Sequence, residues 1–272
     1  MQMWIKKLLL ILCLCSACQA ANDFSGDANC VAIWRLENGA LLTDSKGTNT
    51  LTDGGAVADL VDYKEGSASA DFESTNTDYL AIADAALDAG YPFKKSDAVK
   101  NFSLCFWFKS ESLPANAGEM GLYTKHEFNK ACFMIEVYDD SGIFRLRIAS
   151  NNTTYQNIQY DSLLVTGRWY HAGVTYENSD KSYRIRLWDD TAGALADVDK
   201  TGNVATAINL TDANVNLGAA RSGTAWFDGL MDEVVVFNDI LTSDEIDAIR
   251  AGTYIAVAPP AAGGQLIMIQ EF

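Results

Sequence analysis

From Cys30 onward the chain is a succession of short apolar or alternating runs, cut by clusters of Gly, Asn, Asp and Ser. That punctuation dictates an all-β body, because period two places alternate side chains on opposite faces of a strand and the polar clusters supply turns. The spacing predicts strands over Cys30–Leu36, Ser69–Phe72, Tyr79–Ile82, Phe102–Phe108, Gly121–Lys125 and Cys132–Tyr138. It continues with Phe144–Ala149, Tyr155–Tyr160, Trp169–Tyr176, Tyr183–Trp188, Val215–Leu217 and Gly229–Phe237. In Trp169–Tyr176 the residues Tyr170, Ala172, Val174 and Tyr176 take one face, and Trp169, His171, Gly173 and Thr175 the other. Asp139–Gly142 and Glu177–Asp180 read as hairpin turns, which makes their flanking strands antiparallel.

About a dozen strands in one stretch indicate a two-sheet antiparallel jelly-roll sandwich. One short helix follows. Thr242 and Glu245 form a capping box, Ile246 and Ile249 share a face, and Gly252 supplies a stop, so the helix is expected across one end of the sandwich. Residues 257–264 have linker composition, and Leu266–Phe272 is a short apolar tail. The domain is therefore expected over residues 28–256, with 257–272 as linker and tail.

Residues 1–20 read as a secretory signal peptide. Lys6 and Lys7 precede the apolar run Leu8–Cys15, which leads into small residues ending at Ala20. That run is too short to span a bilayer, and no later segment qualifies. The product is expected to be secreted or extracytoplasmic, with lipid anchoring through Cys18 as the alternative processing. Outside the leader, Cys30, Cys105 and Cys132 remain. One disulfide plus a buried thiol, or three buried thiols, both fit their apolar surroundings. The formal net charge of −16 disfavours nucleic acid and anionic membranes, whose binding requires clustered cations.

Four segments in order resemble one family: Ser67–Asp84, Asn101–Ser110, Gly167–Asp190 and Phe227–Gly252. Together with Ala32–Gly47, whose Asp-Ser-Lys-Gly matches that family's first turn, they are similar to laminin-G-like, concanavalin A-like jelly-roll domains. The resemblance implies two large antiparallel sheets and an exported or surface-displayed module that binds carbohydrate or another cell-surface ligand, often beside calcium. An adhesive component contacting proteins is the second function it allows.

Period two over Gly229–Phe237 puts Leu230, Asp232, Val234 and Val236 on one face and Met231, Glu233 and Val235 on the other. Asp232 then aims a carboxylate into an apolar row, and such a group needs a partner. The resemblance implies a structural calcium ion, with Asp232, Asp44 and Glu37 as its candidate ligands, since calcium takes six to eight oxygens. The competing reading has Asp232 accepting backbone N–H bonds or pairing with Arg35.

Catalysis is the sharper alternative, because jelly rolls of this class include glycoside hydrolases. Glu245-Ile246-Asp247 fails as a catalytic pair, since it lies on the expected helix and Arg250 stands where a third carboxylate is required. Glu136, Tyr138 and Asp140 share a strand face, but Asp140 sits in a turn. Two histidines, His126 and His171, and the lack of Gly-x-Ser-x-Gly leave no nucleophile constellation. The expectation is a non-enzymatic binding module. Trp34, Trp107, Trp169 and Trp188 fall inside strands as packing residues, whereas Trp226, Tyr155 and Tyr160 flank loops and are the candidate sugar platforms.

Overall fold

The computed structural model describes residues 22–221 and 224–256. The leader with Cys18 and the tail 257–272 lie outside the described residues. The first half contains β1 (Cys30–Trp34), β2 (Thr52–Asp53), β3 (Val57–Asp59), β4 (Ser69–Phe72), β5 (Leu80–Ile82), β6 (Phe102–Ser110) and β7 (Glu119–Glu127). Next come β8 (Lys130–Tyr138), β9 (Ile143–Ala149), β10 (Tyr155–Leu163), β11 (Trp169–Glu177), β12 (Ser182–Asp189) and β13 (Ala194–Leu195). The last are β14 (Lys200–Asn203), β15 (Val215–Leu217), β16 (Ala219–Arg221), β17 (Thr224–Trp226), β18 (Gly229–Phe237) and the helix α1 (Ser243–Arg250).

Two antiparallel sheets carry most of them. The nine-stranded sheet runs β13-β12-β11-β6-β18-β4-β3, with β1 also on β18 and β14 on β12. The seven-stranded sheet runs β10-β9-β8-β7-β15-β5-β2, and β16 with β17 forms a separate hairpin. The inner faces meet in one apolar cluster. Phe102 of one sheet stacks on Phe133 of the other at 4.8 Å, and Phe108 on Phe144 at 5.7 Å. Offset stacks of this kind add to the stabilisation from burial alone. In β11 the alternation holds throughout: Tyr170, Ala172, Val174 and Tyr176 belong to the core, while Trp169 packs on the opposite face.

The strand β18 departs from simple alternation. Its first part, Gly229–Met231, pairs with β4, and its second, Val234–Phe237, pairs with β1. Between them the register against β6 slips by one residue, Asp232 facing Trp107 and Val235 facing Cys105. Glu233 sits there at φ +48°, the extra residue of a β-bulge. Val234 and Val236 consequently join Met231 in the core, while Val235 turns outward with Phe237. The expected grouping of Asp232 with Val234 and Val236 is thereby corrected.

The helix starts with the capping box, Thr242 Oγ1 accepting from Glu245 N and the Glu245 carboxylate accepting from Thr242 N at 2.8 Å. It lies on the outer face of the nine-stranded sheet rather than across an end. Ile246 and Ile249 pack with Cys105, Val235 and Phe237. Gly173 permits this, since a Cβ there would stand 2.4 Å from Ile246 Cγ2. Phe24 stacks on Tyr254 at 5.2 Å, so the packed body already includes residues before 28. Cys30, Cys105 and Cys132 are buried free thiols, which decides between the two cysteine readings.

Candidate ligand-binding face

The calcium candidates each hold a piece of chain. Asp232 is fully buried, and its Oδ2 accepts the backbone N–H groups of Lys64 at 2.7 Å and Glu65 at 3.0 Å. Burial pushes its carboxyl up to about 7, against the pull of those amides. Glu37 grips the same segment, taking Ser67 N at 3.1 Å and Ser67 Oγ at 2.6 Å. Gly66 takes a φ of +69°, which favours glycine, and a Cβ there would displace the Glu37 carboxylate, whose Oε1 would lie 1.4 Å away. Asp44 works elsewhere: Oδ1 accepts from Ile33 N and Lys46 N, and Oδ2 from Asn49 N and Nδ2. Arg35 pairs with Glu233 at 2.8 Å. A calcium ion needs oxygens converging on one point. Asp232 and Glu37 act on the same segment while Asp44 holds another, and the three are not among the acidic groups whose ligand atoms gather within 4.8 Å among the described residues. Among the described residues, the acidic group with ligand atoms within 4.8 Å of one another is Asp71, Glu73 and Glu111.

The segment that Asp232 and Glu37 hold, residues 60–67, straps the outer face of the nine-stranded sheet. Asp62 accepts from Trp169 Nε1 at 2.6 Å and pairs with Lys109, while Lys64 Nζ lies 4.5 Å from the Trp107 ring. Trp107, Trp169 and Leu230 are sealed beneath it, and Trp188 packs at their side. Trp34 is wholly in the core. The four strand tryptophans are packing residues.

The opposite sheet carries a different arrangement. On its outer face Glu136 of β8 stands directly across from Arg145 of β9, whose Nε reaches Glu136 Oε1 at 2.6 Å. Arg147 approaches the same oxygen at 3.3 Å and holds Glu119 at 2.8 Å; Arg145 lies 3.5 Å from Glu119. Two carboxylates and two guanidiniums thus form one closed lattice. Arg145 lies flat on Tyr138 at 3.5 Å, and Arg147 stands 5.4 Å from the Tyr155 ring. Tyr155 completes the row through His126 Nε2 at 3.1 Å. Burial dominates at Glu136 and pushes its carboxyl up to about 7, with Arg147 and Arg145 holding back part of the rise.

The β16–β17 hairpin lies over β7 on this face. Thr124 Oγ1 donates to Ala219 O at 2.9 Å, and Gly121 makes room, because a Cβ there would meet Ala220 N at 2.1 Å. Gly121 is the residue paired with Glu136, and Trp226 is paired across the hairpin with Ala219. Four buried polar atoms have no hydrogen-bond partner among the described residues: Glu136 Oε2, Arg145 Nη2, Arg147 Nε and Trp226 Nε1. Arg145 Nη2 and Arg147 Nε nonetheless face the carboxylates of Glu119 and Glu136 in the ion pairs above, which leaves Glu136 Oε2 and Trp226 Nε1 as the two without a charged or hydrogen-bonded partner among the described residues.

Of the aromatic candidates, half-buried Tyr155 and Trp226 belong to this face. Tyr160 does not. It is a core residue whose hydroxyl donates to Asp197 O at 2.6 Å. Tyr155 and Tyr160 are five residues apart on one strand, so they face opposite ways. The Glu136–Arg145 pair escaped the sequence reading although its signal was present. Counting outward from the Asp139–Gly142 turn sets Tyr138 opposite Ile143 and Glu136 opposite Arg145.

A family model described as concanavalin A-like lectin/glucanases superfamily matches residues 74–247. No curated protein matches the chain. Among solved structures it is similar to domain 4 of AbnA, a GH43 extracellular arabinanase from Geobacillus stearothermophilus, in complex with arabinotriose. That likeness has a TM-score of 0.53 and 14% identity and covers 82% of this chain and 98% of that one. It is also similar to botulinum neurotoxin type C, whose cell entry depends on interaction with two ganglioside molecules (TM-score 0.57, 11% identity, 84% of this chain and 52% of that one). The binding domain of botulinum neurotoxin DC in complex with SialylT gives a TM-score of 0.57 at 12% identity, over 84% and 52%. The chain spans about half the length of these neurotoxin chains, and at such identities the likeness is one of fold.

Proposed function

Since the chain belongs to the concanavalin A-like lectin/glucanases superfamily, we propose that it is an exported, non-catalytic module that binds carbohydrate on the outer face of its seven-stranded sheet. The observation that carries this reading is the lattice of Glu136, Glu119, Arg145 and Arg147, backed by Tyr138 and Tyr155. Sugar hydroxyls both donate and accept, matching the Glu119 carboxylate and the Arg147 guanidinium, whose side chains keep part of their surface exposed. Aromatic rings beside them supply the apolar half of the contact. Both carboxylates are tied to guanidiniums, whereas glycoside hydrolysis asks for two carboxyls free to act as acid and as base or nucleophile. The leader pattern supports export. The neighbours support the ligand class: arabinotriose for one, gangliosides and SialylT for the others.

A second reading, glycoside hydrolysis with Glu136 as general acid, is favoured by one feature: a carboxyl near 7 is poised for proton transfer around neutral pH. A glycan array separates the two. Binding by the full chain that falls at least ~10-fold in Arg147→Ala and Tyr155→Ala, with arrayed glycans intact, is the expected result, since stacked, desolvated contacts are worth over 1 kcal/mol each. Failure to bind any glycan, or cleavage that Glu136→Gln abolishes, overturns the reading.

A further inference from the structure

A groove with a volume of about 620 Å³ lies on the outer face of the nine-stranded sheet, beside the start of α1. Register sets its floor. Thr175 of β11 stands opposite Arg184 of β12, and Arg184 opposite Thr201 of β14, so the three side chains form one row across the sheet. Ser182 and Asn203 make the next pair on the same face. Residues 240–243 are the wall. Ser103 pins them to the sheet, its Oγ donating to Asp239 O at 2.7 Å and accepting from Leu241 N at 2.9 Å. Arg186 holds α1 over the same face through both oxygens of Asp247, at 3.0 and 2.6 Å. The groove is therefore preformed, and its size falls within the roughly 300–1,000 Å³ of small-ligand sites.

Its polar groups are unused. Thr175 is 4% exposed, and its hydroxyl opens on the groove with no hydrogen-bond partner among the described residues. A hydroxyl so shut away from bulk water needs one. The Arg184 guanidinium is held only loosely: its Nε lies 3.6 Å from Asp199 Oδ2, beyond hydrogen-bond length, while Asp199 Oδ1 goes to Arg186 at 2.6 Å. Asn203 donates its amide N–H to Asp180 O at 3.0 Å and keeps its carbonyl oxygen as an acceptor. Arg184 and Arg186 stand against Asp199 and Asp247, two charges of each sign, which leaves no surplus to hold an ion. A hydroxyl, a guanidinium and an amide carbonyl side by side suit a ligand whose neutral groups both donate and accept. Half-buried Ile240 offers it an apolar side.

We propose that this groove binds a neutral sugar unit, independently of the face of the seven-stranded sheet. The hydroxyls of the sugar would accept from Thr175 and Arg184 and donate to Asn203, with a C–H face against Ile240.

An NMR titration of the isotopically labelled full chain with the methyl glycosides of glucose, galactose, xylose and arabinose tests this, with sorbitol as the open-chain polyol and glucuronate as the charged sugar. The expected result is a saturable shift of the amides of 175, 182–184, 201–203 and 240–243 with at least one glycoside, no saturation with sorbitol and no gain with glucuronate. Thr175→Val, which keeps the branched shape and removes the hydroxyl, and Arg184→Met are each expected to weaken that binding ~5-fold, with amides remote from the groove unmoved. The proposal is overturned by the absence of a saturable shift with every glycoside, by sorbitol binding equally well, by glucuronate binding ~10-fold more tightly, or by unchanged affinity in either variant. Shifts confined to β8–β10 overturn it too, and leave the seven-stranded face its ligand.

Discussion

Glu136 has no exposed surface, and its carboxyl is raised from an ordinary value of 4.5 to about 7. A proton therefore binds the folded chain more tightly than the unfolded one. The stability this confers is fully present below pH 4.5 and is lost as the pH rises through 7. At about 1.4 kcal/mol per tenfold change in proton affinity, the loss is roughly 3 kcal/mol. Glu136→Gln keeps the shape and cannot titrate. Asp232, raised to about 7, and Glu233, raised to about 8, lose stability over the same range but do so in both proteins and cancel in the comparison. Urea unfolding of wild type and Glu136→Gln at pH 5 and pH 8 reads the difference. The variant is expected to gain about 2.5 kcal/mol on wild type between the two. A difference that stays flat within about 0.5 kcal/mol refutes the reasoning, for it would mean that the guanidiniums of Arg145 and Arg147 keep Glu136 ionised at both pH values.

Gly121→Ala forces a Cβ against the backbone of Ala219 and Ala220, so it should cost about 1–3 kcal/mol in urea unfolding and weaken glycan binding as the hairpin shifts. Asp232→Ala removes the acceptor for two strap amides and should cost about 2–4 kcal/mol, whereas Asp232→Asn, which keeps an acceptor, should cost under about 1 kcal/mol; equal losses would contradict the assignment. Because the oxygens of Asp44 and Glu37 are committed to N–H and O–H donors, any change in melting temperature when calcium is added to chelated protein should persist within about 1 °C in Glu37→Gln; a response lost in that variant would contradict the assignment. Cys30 and Cys132, pushed up to about 12 by burial, and Cys105, pushed higher still, should resist a thiol reagent at pH 8 until urea unfolds the chain; rapid labelling of any of them in buffer would contradict their burial.

Much of the sandwich was legible because burial imposes parity. Trp169–Tyr176, Phe102–Phe108 and the hairpin at Asp139–Gly142 announce their faces and partners without any knowledge of the third dimension. The strands that escaped, β2, β3, β13, β14, β16 and β17, have two to four residues each, too few for alternation to show. The bulge at Asp232–Glu233 escaped for a different reason. It exists because β18 changes its neighbour from β4 to β1 at that point, and no local pattern encodes a change of neighbour. The proposed binding face was half legible. Parity within β10 separates Tyr155 from Tyr160, and the turn register yields Glu136 with Arg145. The contribution of Gly121 depends on a hairpin nearly a hundred residues away, and the fates of Asp44 and Glu37 were decided by loop amides that carry no sequence signature.

The central claim is that the seven-stranded sheet recognises a glycan and leaves it intact. An NMR titration of the isotopically labelled full chain with the strongest glycan from the array tests location and chemistry in one sample. The Trp226 indole N–H, the Arg145 and Arg147 guanidinium signals and the amides of β8 to β10 are expected to shift and saturate, while the sugar resonances keep their number and linkage. Shifts confined to the strap, or new reducing-end signals growing with time, would contradict the account.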